Sequence, residues 1–529
     1  MRVTGGAENE QRGWLCLACA VLGLTLMATG NVAAAEAWFG LKMPERRAQS
    51  SERHRQAYAT PDLAPLSLRL SASDDPYAAI DGAVIYRYLE DIVRITLANR
   101  PDGEQYWGRI AGSAAERATA DYVAGQFRAF GLRDVHTEPV IGGAQWWPTD
   151  WSVTVLADAR YGQGTADYSF TSAFPALHLG EGARDVSVEA ELIYVGLGRA
   201  VDLIGREVRG KIAVVRAELQ PDPFFQTARG YIESIVRAGA VGVITIMDAP
   251  GNHRYALELL GSVEVPCFIL GGADGRFLED VIAAAGAEAP RVRLRSVAQL
   301  RPSWRGKNVL GLVPGRTDEY VLITAHLDGY FEAANDNAGG VAAALALAKF
   351  FADPARPAPA RNLLFIGTSA HHEFSDGTRA FIAAHPDILA RTALVFNIEH
   401  PSSIKSYYRG ALKLERVTVP GQLITTTSQS KRSLTISKST PQLVSAYQAA
   451  IDRYGLVVDA MIGRRPTGDA FDFFRAGHRV VQILDANLWF HSDGDRLDTI
   501  SPHGLERATR AYADVLDAID RMPLDIRTK

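Results

Sequence analysis

Short continuous apolar runs recur along the chain and predict strands that are buried on both faces. The clearest of them follow one another in the C-terminal half, at residues 320–325, 362–366, 393–398 and 479–484. Such runs are typical of the central strands of a parallel sheet. Apolar residues at helical spacing follow them, as in the alanine-rich residues 339–351. Strands that alternate with helices predict an α/β fold: a mixed, mainly parallel sheet with helices on both faces.

Helix-end signals support this pattern. Ser113 with Glu116 forms a capping box that predicts a helix over residues 114–130. Thr440, which is followed by proline, and Ser501 predict the starts of two later helices. Residues 38–76, rich in Arg, Ser and Pro, show no clear period and predict a loosely packed arm.

A middle segment, residues 186–297, has a different pattern of apolar runs and turns. Short strand-like runs alternate there with Gly-rich turns, and one helix is predicted over residues 227–238. The segment has its own strand and helix set and shows no metal-type cluster. The runs Val-Arg-Gly-Lys-Ile-Ala-Val-Val (208–215) and Ala-Gly-Ala-Val-Gly-Val-Ile (238–244) resemble the protease-associated domain that is inserted in several peptidase families. We therefore expect an inserted, smaller, β-rich α/β protease-associated domain.

Length and charge extend the picture. A chain of 529 residues predicts more than one domain. We expect a signal peptide at 1–37, the N-terminal part of the main domain at 38–185, the insert at 186–297, and the rest of the main domain at 298–529. The net charge of −4, with both signs interspersed, gives no indication of binding to nucleic acid or to an anionic membrane surface.

The first residues have the layout of a secretory signal peptide. Arg2 and Arg12 precede an apolar run over residues 14–27, and cleavage sites follow at Ala35 and Ala37. We expect a periplasmic or secreted protein, with an uncleaved membrane anchor as the alternative. Cleavage would remove two of the three cysteines and leave Cys267, for which buried packing is a better interpretation than nucleophilic catalysis.

Candidate metal ligands lie at or after the ends of the predicted strands. Carboxyl ends of parallel strands meet at one edge of a sheet, where open α/β folds bind their ligands. Imidazole nitrogens and carboxylate oxygens are zinc ligands, and five of them with one bridging carboxylate hold two ions for hydrolysis. The candidate metal ligands are His326, Asp336, Glu373, Glu399 and His491.

These residues and their spacing resemble the di-zinc aminopeptidase and glutamate carboxypeptidase family, from about residue 85 to the C-terminus. The resemblance implies one zinc ion on His326 and Glu399 and another on Glu373 and His491, with Asp336 bridging them. It also implies that Asp328 orients His326 and that Asp495 orients His491. Asp469, in a segment similar to the family's Ser-Asp-His, is expected to be structural or to support a ligand.

One departure concerns the general base. The family has two adjacent glutamates, the first as base and the second as ligand, whereas this chain has His371-His372-Glu373. The base position then holds His372, whose imidazole is able to accept a proton. The His372 imidazole is equally able to ligate a metal or to pack against its neighbours. In those cases the site is inactive or altered, or another residue supplies the base.

The sequence thus predicts an exported, zinc-dependent exopeptidase, aminopeptidase-like, that hydrolyses peptide bonds with metal-bound water. Peptides are the expected partners. The alternative is a catalytically inactive zinc-binding scaffold or binding protein, because the usual glutamate base is missing. A further alternative is acyl transfer of the glutaminyl-cyclase type, against which the insert argues.

Overall fold

The structure is a computed structural model, and it describes most of the chain from residue 75 onwards. The described residues are 37–38, 41–42, 62, 75–158, 166–182, 184–217, 224–247, 249, 251–258, 263–286, 288–404, 406–409, 423–427, 432–485 and 489–524. The chain divides into two units, Met1–Ala59 and Thr60–Lys529. In the first unit, two short strands pair antiparallel, with Ala37 opposite Lys42. Most of the predicted signal peptide lies outside the described residues.

The strands, numbered in chain order, are β1 (Ala37–Trp38), β2 (Leu41–Lys42), β3 (Gly108–Arg109), β4 (Arg133–Gly142), β5 (Gln145–Val155), β6 (Tyr168–Ser169), β7 (Phe174–Pro175), β8 (Asp185–Tyr194), β9 (Ile212–Ala217), β10 (Gly242–Met247), β11 (Cys267–Leu270), β12 (Arg291–Arg301), β13 (Trp304–Val313), β14 (Tyr320–His326), β15 (Gly329–Tyr330), β16 (Asn362–Thr368), β17 (Thr392–Ile398), β18 (Ser406–Arg409), β19 (Leu423–Thr427), β20 (Arg432–Ile436), β21 (Val458–Ile462) and β22 (Val480–Asp485).

The helices are α1 (Gly82–Ala98), α2 (Ala114–Ala129), α3 (Ala200–Leu203), α4 (Phe224–Arg237), α5 (Gly272–Ala285), α6 (Gly340–Phe351), α7 (Asp376–Ala384), α8 (Pro386–Leu389), α9 (Pro441–Tyr454), α10 (Gly468–Arg475) and α11 (Pro502–Arg521). A π-helical segment, Ala334–Gly339, leads into α6. No helix among the residues listed above is long and apolar enough to cross a membrane.

The main sheet has eight strands in the order β21-β20-β22-β17-β14-β16-β13-β4. Its four central strands, β22, β17, β14 and β16, are parallel, while β13, β4 and β20 add antiparallel pairs at the sides. The central strands are almost wholly buried, as their continuous apolar runs predict. The predicted mixed α/β sheet is confirmed.

Helices cover both faces of this sheet. One face packs under α1, α2, α6, α9 and α11, in a core that includes Ile85, Phe127, Leu345 and Leu516. The other face packs under α7, α8 and α10 through Phe381, Leu389 and Phe473. The two layers fix the central strands and therefore the positions of the loops that leave their carboxyl ends.

A second eight-stranded sheet, in the order β6-β5-β12-β8-β9-β10-β11-β7, contains the predicted insert. β8, β9, β10 and β11 form its parallel part. β5 and β12 pair with each other over most of their length. The sheet therefore begins at Gln145, earlier in the chain than residue 186, because β5 needs β12 as its partner. Cys267 is buried in this sheet, where burial raises the pKa of its thiol to about 12.

Candidate metal centre

The four central strands of the main sheet end at one edge, and the candidate ligands follow those ends. His326 is the last residue of β14 and lies opposite Thr368, the last residue of β16. β17 ends next to both Glu399 and His400, and β22 leads to the loop that carries His491. Parallel strands in register thus bring residues from distant parts of the chain to one buried place.

Asp336 lies at the centre of this place, in the π-helical segment before α6. Its Oδ1 lies 3.2 Å from His326 Nε2 and 2.9 Å from His400 Nε2. Its Oδ2 lies 3.1 Å from His491 Nε2 and 3.8 Å from His372 Nε2. Each oxygen of one carboxylate therefore faces two imidazole nitrogens.

An oxygen atom lies beside the other ring nitrogen of each histidine. His326 Nδ1 lies 3.2 Å from the Asp328 carbonyl, and His400 Nδ1 lies 3.0 Å from the Asp485 carbonyl. The Nδ1 atoms of His372 and His491 face the two oxygens of a carboxylate from the second sheet, described below. A proton on Nδ1 leaves the Nε2 lone pair available, which is the tautomer that metal ligation through Nε2 requires.

The chemistry of this cluster fits a pair of zinc ions. His326 Nε2, His372 Nε2, His400 Nε2 and both carboxylate oxygens of Asp336 are buried, and none of them makes a hydrogen bond to a described residue. Buried polar atoms rarely lack such bonds unless a ligand satisfies them. Imidazole nitrogens and a shared carboxylate are the donors of co-catalytic zinc sites.

The electrostatics of the cluster favour a cation. Burial opposes ionisation of Asp336, but the neighbouring histidines, His400 first, hold the pKa of Asp336 well below its usual range. Burial also disfavours the charged form of His491, yet Glu258 and Asp336 raise the pKa of His491 to about 9. Metal ligation requires neutral imidazoles, so metal binding at these residues is coupled to pH.

His371 is arranged differently from the four histidines around Asp336. Its Nδ1 lies 3.1 Å from Asp469 Oδ1, and Asp469 Oδ2 accepts a 2.6 Å hydrogen bond from Thr368. Its ring stacks on His326 with the ring centres 4.0 Å apart. At Gly468, a Cβ would lie 2.6 Å from the His371 ring, so only glycine permits this approach. The result is a carboxylate–imidazole pair at the border of the cluster.

Glu373 is the predicted ligand that the structure does not bring into the cluster. Its Oε1 accepts a 2.8 Å hydrogen bond from Gln145 Nε2, and burial raises the pKa of Glu373 to about 8. The described groups of metal-type side chains do not include it. His372, the residue before it, contacts Asp336 instead. The backbone turns just ahead of both residues, at Ala370, whose φ is 58°.

Glu399 lies at the cluster without facing Asp336. It groups with His326 and His371, and it accepts hydrogen bonds from Asn397 Nδ2 at 2.7 Å and from Gln482 Nε2 at 3.2 Å. His400, the next residue, faces Asp336 instead. The structure thus places both residues at the predicted strand end, and His400 is the one that contacts Asp336, at 2.9 Å.

Two aspartates fix the loops around the cluster through backbone amides. The Asp328 carboxylate accepts the amides of His371 and His372, both at 3.0 Å, in addition to its contact with His326. The Asp495 carboxylate accepts the amides of Asn335 at 2.8 Å and Asp336 at 3.0 Å. Asp495 was predicted to orient His491; its hydrogen bonds go to the backbone at Asp336 instead.

Buried Arg109 holds the loop between β14 and the π-helical segment. It donates to the carbonyls of Leu327 at 2.9 Å, Glu332 at 2.8 Å and Ala333 at 2.9 Å. These bonds join three backbone carbonyls of the loop to one guanidinium, close to the segment that carries Asp336.

Sequence reasoning missed His400 and Glu258. His400 follows Glu399 directly, has a φ of 43°, and contacts Asp336 through Nε2. Glu258 belongs to the predicted insert, in which no metal-type cluster was recognised. A histidine next to a candidate ligand was a signal for the first; the sequence held no signal for the second.

The imidazoles and the shared carboxylate at the carboxyl edge of this mixed α/β sheet form a cluster of zinc-type donors. Residues 308–516 match the model of Peptidase family M28, so the predicted resemblance to a metallopeptidase family is confirmed for this part of the chain. A search of curated proteins gave no match.

Solved structures share the fold over most of the chain. A peptidase M28 precursor from Shewanella amazonensis SB2B is 17% identical, with a TM-score of 0.64 over 91% of this chain and 98% of that one. The aminopeptidase from Aneurinibacillus sp. strain AM-1 is 20% identical, with a TM-score of 0.56 over 83% and 94%. BSAP, a zinc aminopeptidase from Bacillus subtilis, is 17% identical, with a TM-score of 0.58 over 83% and 94%. These TM-scores, all above 0.5, show a common fold at low sequence identity.

Proposed function

We propose that this protein is a zinc-dependent exopeptidase of the aminopeptidase type. The observation that carries the proposal is the Asp336 carboxylate, each oxygen of which faces two histidine Nε2 atoms. This arrangement supports two zinc ions, with His326 and His400 holding one, His372 and His491 holding the other, and Asp336 shared. Bound zinc supplies Lewis-acid activation of water and of the scissile carbonyl.

His371 is the candidate general base in this proposal. Both nitrogens of His372 face carboxylates, Glu258 at 3.1 Å and Asp336 at 3.8 Å, which suits a ligand. His371 contacts Asp469 through Nδ1, and we assign its Nε2, on the other edge of the ring, to accept a proton from the attacking water. Asp469 orients the ring and stabilises the imidazolium that forms, as carboxylates do beside catalytic histidines. We assign His372 as a zinc ligand and His371 as the general base.

The expected substrate is a peptide with a free amino terminus. Two of the solved structures above are named aminopeptidases, which supports recognition of the free amino terminus of the substrate. The test is hydrolysis of one peptide in three forms, with both ends free, with the amino end acetylated, and with the carboxyl end amidated, each with and without zinc. Asp336→Asn serves as the control that keeps the shape of the side chain.

We expect zinc-dependent cleavage of the free and amidated peptides and none of the acetylated one. Cleavage of the acetylated peptide, but not the amidated one, would assign the protein to carboxypeptidases instead. Full zinc content without turnover of any peptide would favour the binding-protein alternative, for which the missing glutamate at the base position is the supporting observation.

We also propose export to the periplasm or the exterior, because Arg2, Arg12 and the apolar run 14–27 precede cleavage sites at Ala35 and Ala37. N-terminal sequencing of the protein from each cell fraction is the test. A mature chain that begins at Glu36 or Trp38 outside the cytoplasm supports export. A chain that keeps residue 1 in the membrane fraction would indicate an anchor, and one that keeps it in the soluble cytoplasm contradicts the proposal.

A further inference from the structure

The second sheet contributes a carboxylate to the metal centre. Glu258, from the loop between β10 and β11, places Oε1 3.1 Å from His372 Nδ1 and Oε2 3.4 Å from His491 Nδ1. The side chains of both histidines are at most 7% exposed and that of Glu258 is 15% exposed. One carboxylate from the predicted insert therefore contacts both histidines on the Oδ2 side of Asp336.

The geometry points to a positioning role for Glu258. The Nε2 atoms of the same two histidines face Asp336, so Glu258 and Asp336 lie on opposite edges of each ring. A metal-ligating histidine commonly donates its second N–H to a carboxylate, which fixes the tautomer and the ring orientation. We infer that Glu258 orients His372 and His491 together, so that the second sheet sets the affinity of one of the two zinc positions. This inference rests on the proposed zinc centre.

The Glu258 carboxylate is itself held in place. Tyr330 Oη donates a 2.6 Å hydrogen bond to Glu258 Oε1, and the Tyr330 ring lies beside His372, with ring centres 4.6 Å apart. Tyr330 belongs to β15, in the loop that leads to Asp336. The carboxylate thus meets the main domain on three sides, two imidazoles and a phenol.

The chain before Glu258 runs beside the loop that carries His491. Ala256 N donates to the His491 carbonyl at 2.8 Å, and Tyr255 forms an isolated antiparallel bridge with Ser492. Asp493 N donates to the Arg254 carbonyl at 3.1 Å. These backbone bonds fix the distance between the two segments, so Glu258 reaches His491 as part of a paired structure.

The test measures zinc affinity and not turnover. Metal-free wild-type protein, Glu258→Ala and Glu258→Gln are titrated with zinc against a chromophoric chelator. Glu207→Ala, which removes an exposed carboxylate from the same segment, is the matched control. Circular dichroism establishes that each variant is folded, and Glu258→Gln keeps the volume and one acceptor if the alanine variant does not fold.

We expect two zinc equivalents in the wild type. In Glu258→Ala, one equivalent should bind about 10–100-fold more weakly, the usual effect of losing such a partner, while the other stays unchanged. Glu258→Gln should fall between them, because its amide accepts from only one of the two N–H groups. Tyr330→Phe should weaken the same equivalent to a smaller degree.

Three results would overturn the inference. Wild-type affinity at both positions in Glu258→Ala would show that the contact does not orient the ligands. Loss of an equivalent beyond the two at Asp336 would make Glu258 a ligand of a separate site. Equal weakening of both positions would indicate a general structural effect. Because the readout is zinc binding, a protein that orients its metal through Glu258 but hydrolyses no peptide would refute only the proposed function.

Discussion

At the scale of single residues, the centre depends on one carboxylate. Asp336 gives each of its oxygens to two histidines, and it is 2% exposed. A shared carboxylate of this kind ties the occupancy of one position to that of the other. In the proposed two-zinc centre, removing Asp336 would take a ligand from both positions, whereas removing a histidine would take a ligand from only one.

The first prediction follows from this sharing. Asp336→Ala should lose both zinc equivalents after dialysis against a weak chelator, while His400→Ala and His491→Ala should each lose about one. The measurement is metal content per chain by atomic emission. Adding the two histidine changes in one chain should reproduce the Asp336→Ala result. Two full equivalents in Asp336→Ala would end its assignment as the bridge.

The second prediction separates the adjacent histidines. His371→Ala should lower kcat by about 10²–10⁴-fold, the usual range for a lost general base, with little change in KM and with both zinc equivalents retained. His372→Ala should lose about one equivalent, since its Nε2 faces Asp336. The measurement is steady-state kinetics together with metal content. Unchanged kcat in a fully metallated His371→Ala protein, with lost activity in fully metallated His372→Ala, would restore the prediction made from the sequence.

At the scale of elements, the strand ends were predictable and the directions of the side chains beyond them were not. Apolar runs that stop at His326 and before Glu399 mark the edge of a parallel sheet, whatever the rest of the chain does. Past the last paired residue, the alternation of the strand no longer fixes where a side chain points. At Ala370 and His400 the φ values are positive, 58° and 43°, so the backbone leaves the extended conformation there.

The role of Glu258, in the second sheet, was not predictable from the sequence pattern for another reason. Glu258 lies in an irregular loop with no hydrophobic period, and its contacts depend on how two sheets pack. The core shared by the sheets includes Tyr106, Trp107, Tyr330 and Phe331 from the main domain. Packing between segments so distant in sequence leaves no local signature.

The third prediction concerns Glu116, which joins α2 to the end of β16. Its carboxylate accepts the Gly112 amide at 2.7 Å and the Ser369 hydroxyl, not the Ser113 amide that a capping box predicts. Burial raises the pKa of Glu116 to about 8. An unfolded glutamate ionises near pH 4.3, so the folded state holds the proton over a window in which the unfolded state has lost it. Stability is therefore lost as the pH rises from about 4.5 towards 8.

Glu116→Gln should remove that loss. Relative to the wild type, its free energy of unfolding should improve by up to about 1.4 kcal/mol per pH unit across this window. The measurement is urea unfolding of the metal-free protein at several pH values, with exposed Glu104→Gln as the control. A difference between Glu116→Gln and the wild type that does not vary with pH would show that Glu116 is ionised in the folded protein.

At the scale of the whole molecule, one residue ahead of the first helix is tied to the end of the chain. Asp62 is completely buried, so the prediction of a loosely packed arm over residues 38–76 is wrong at this position. Its carboxylate lies 2.8 Å from Arg432 at the start of β20 and 3.7 Å from Arg507 in α11, and neither arginine is exposed. The Asp62 carbonyl accepts a 2.6 Å hydrogen bond from Ser501, which caps α11.

The last prediction tests that tie. Asp62→Ala leaves two buried guanidinium groups without this carboxylate, and breaking a buried ion pair on one side costs about 3–5 kcal/mol. We expect a loss of that size in the free energy of unfolding, measured by urea denaturation, and no change in exposed Asp102→Ala. Asp62→Asn should lose less, because its amide oxygen still accepts from Arg432. Zinc content should stay at the wild-type level in the folded Asp62→Ala protein, since the carboxylate of Asp62 contacts Arg432, Arg507 and Ser402, which are not among the proposed zinc ligands. A variant as stable as the wild type would mean that other contacts stabilise Arg432 and Arg507, and that Asp62 does not contribute to the free energy of unfolding.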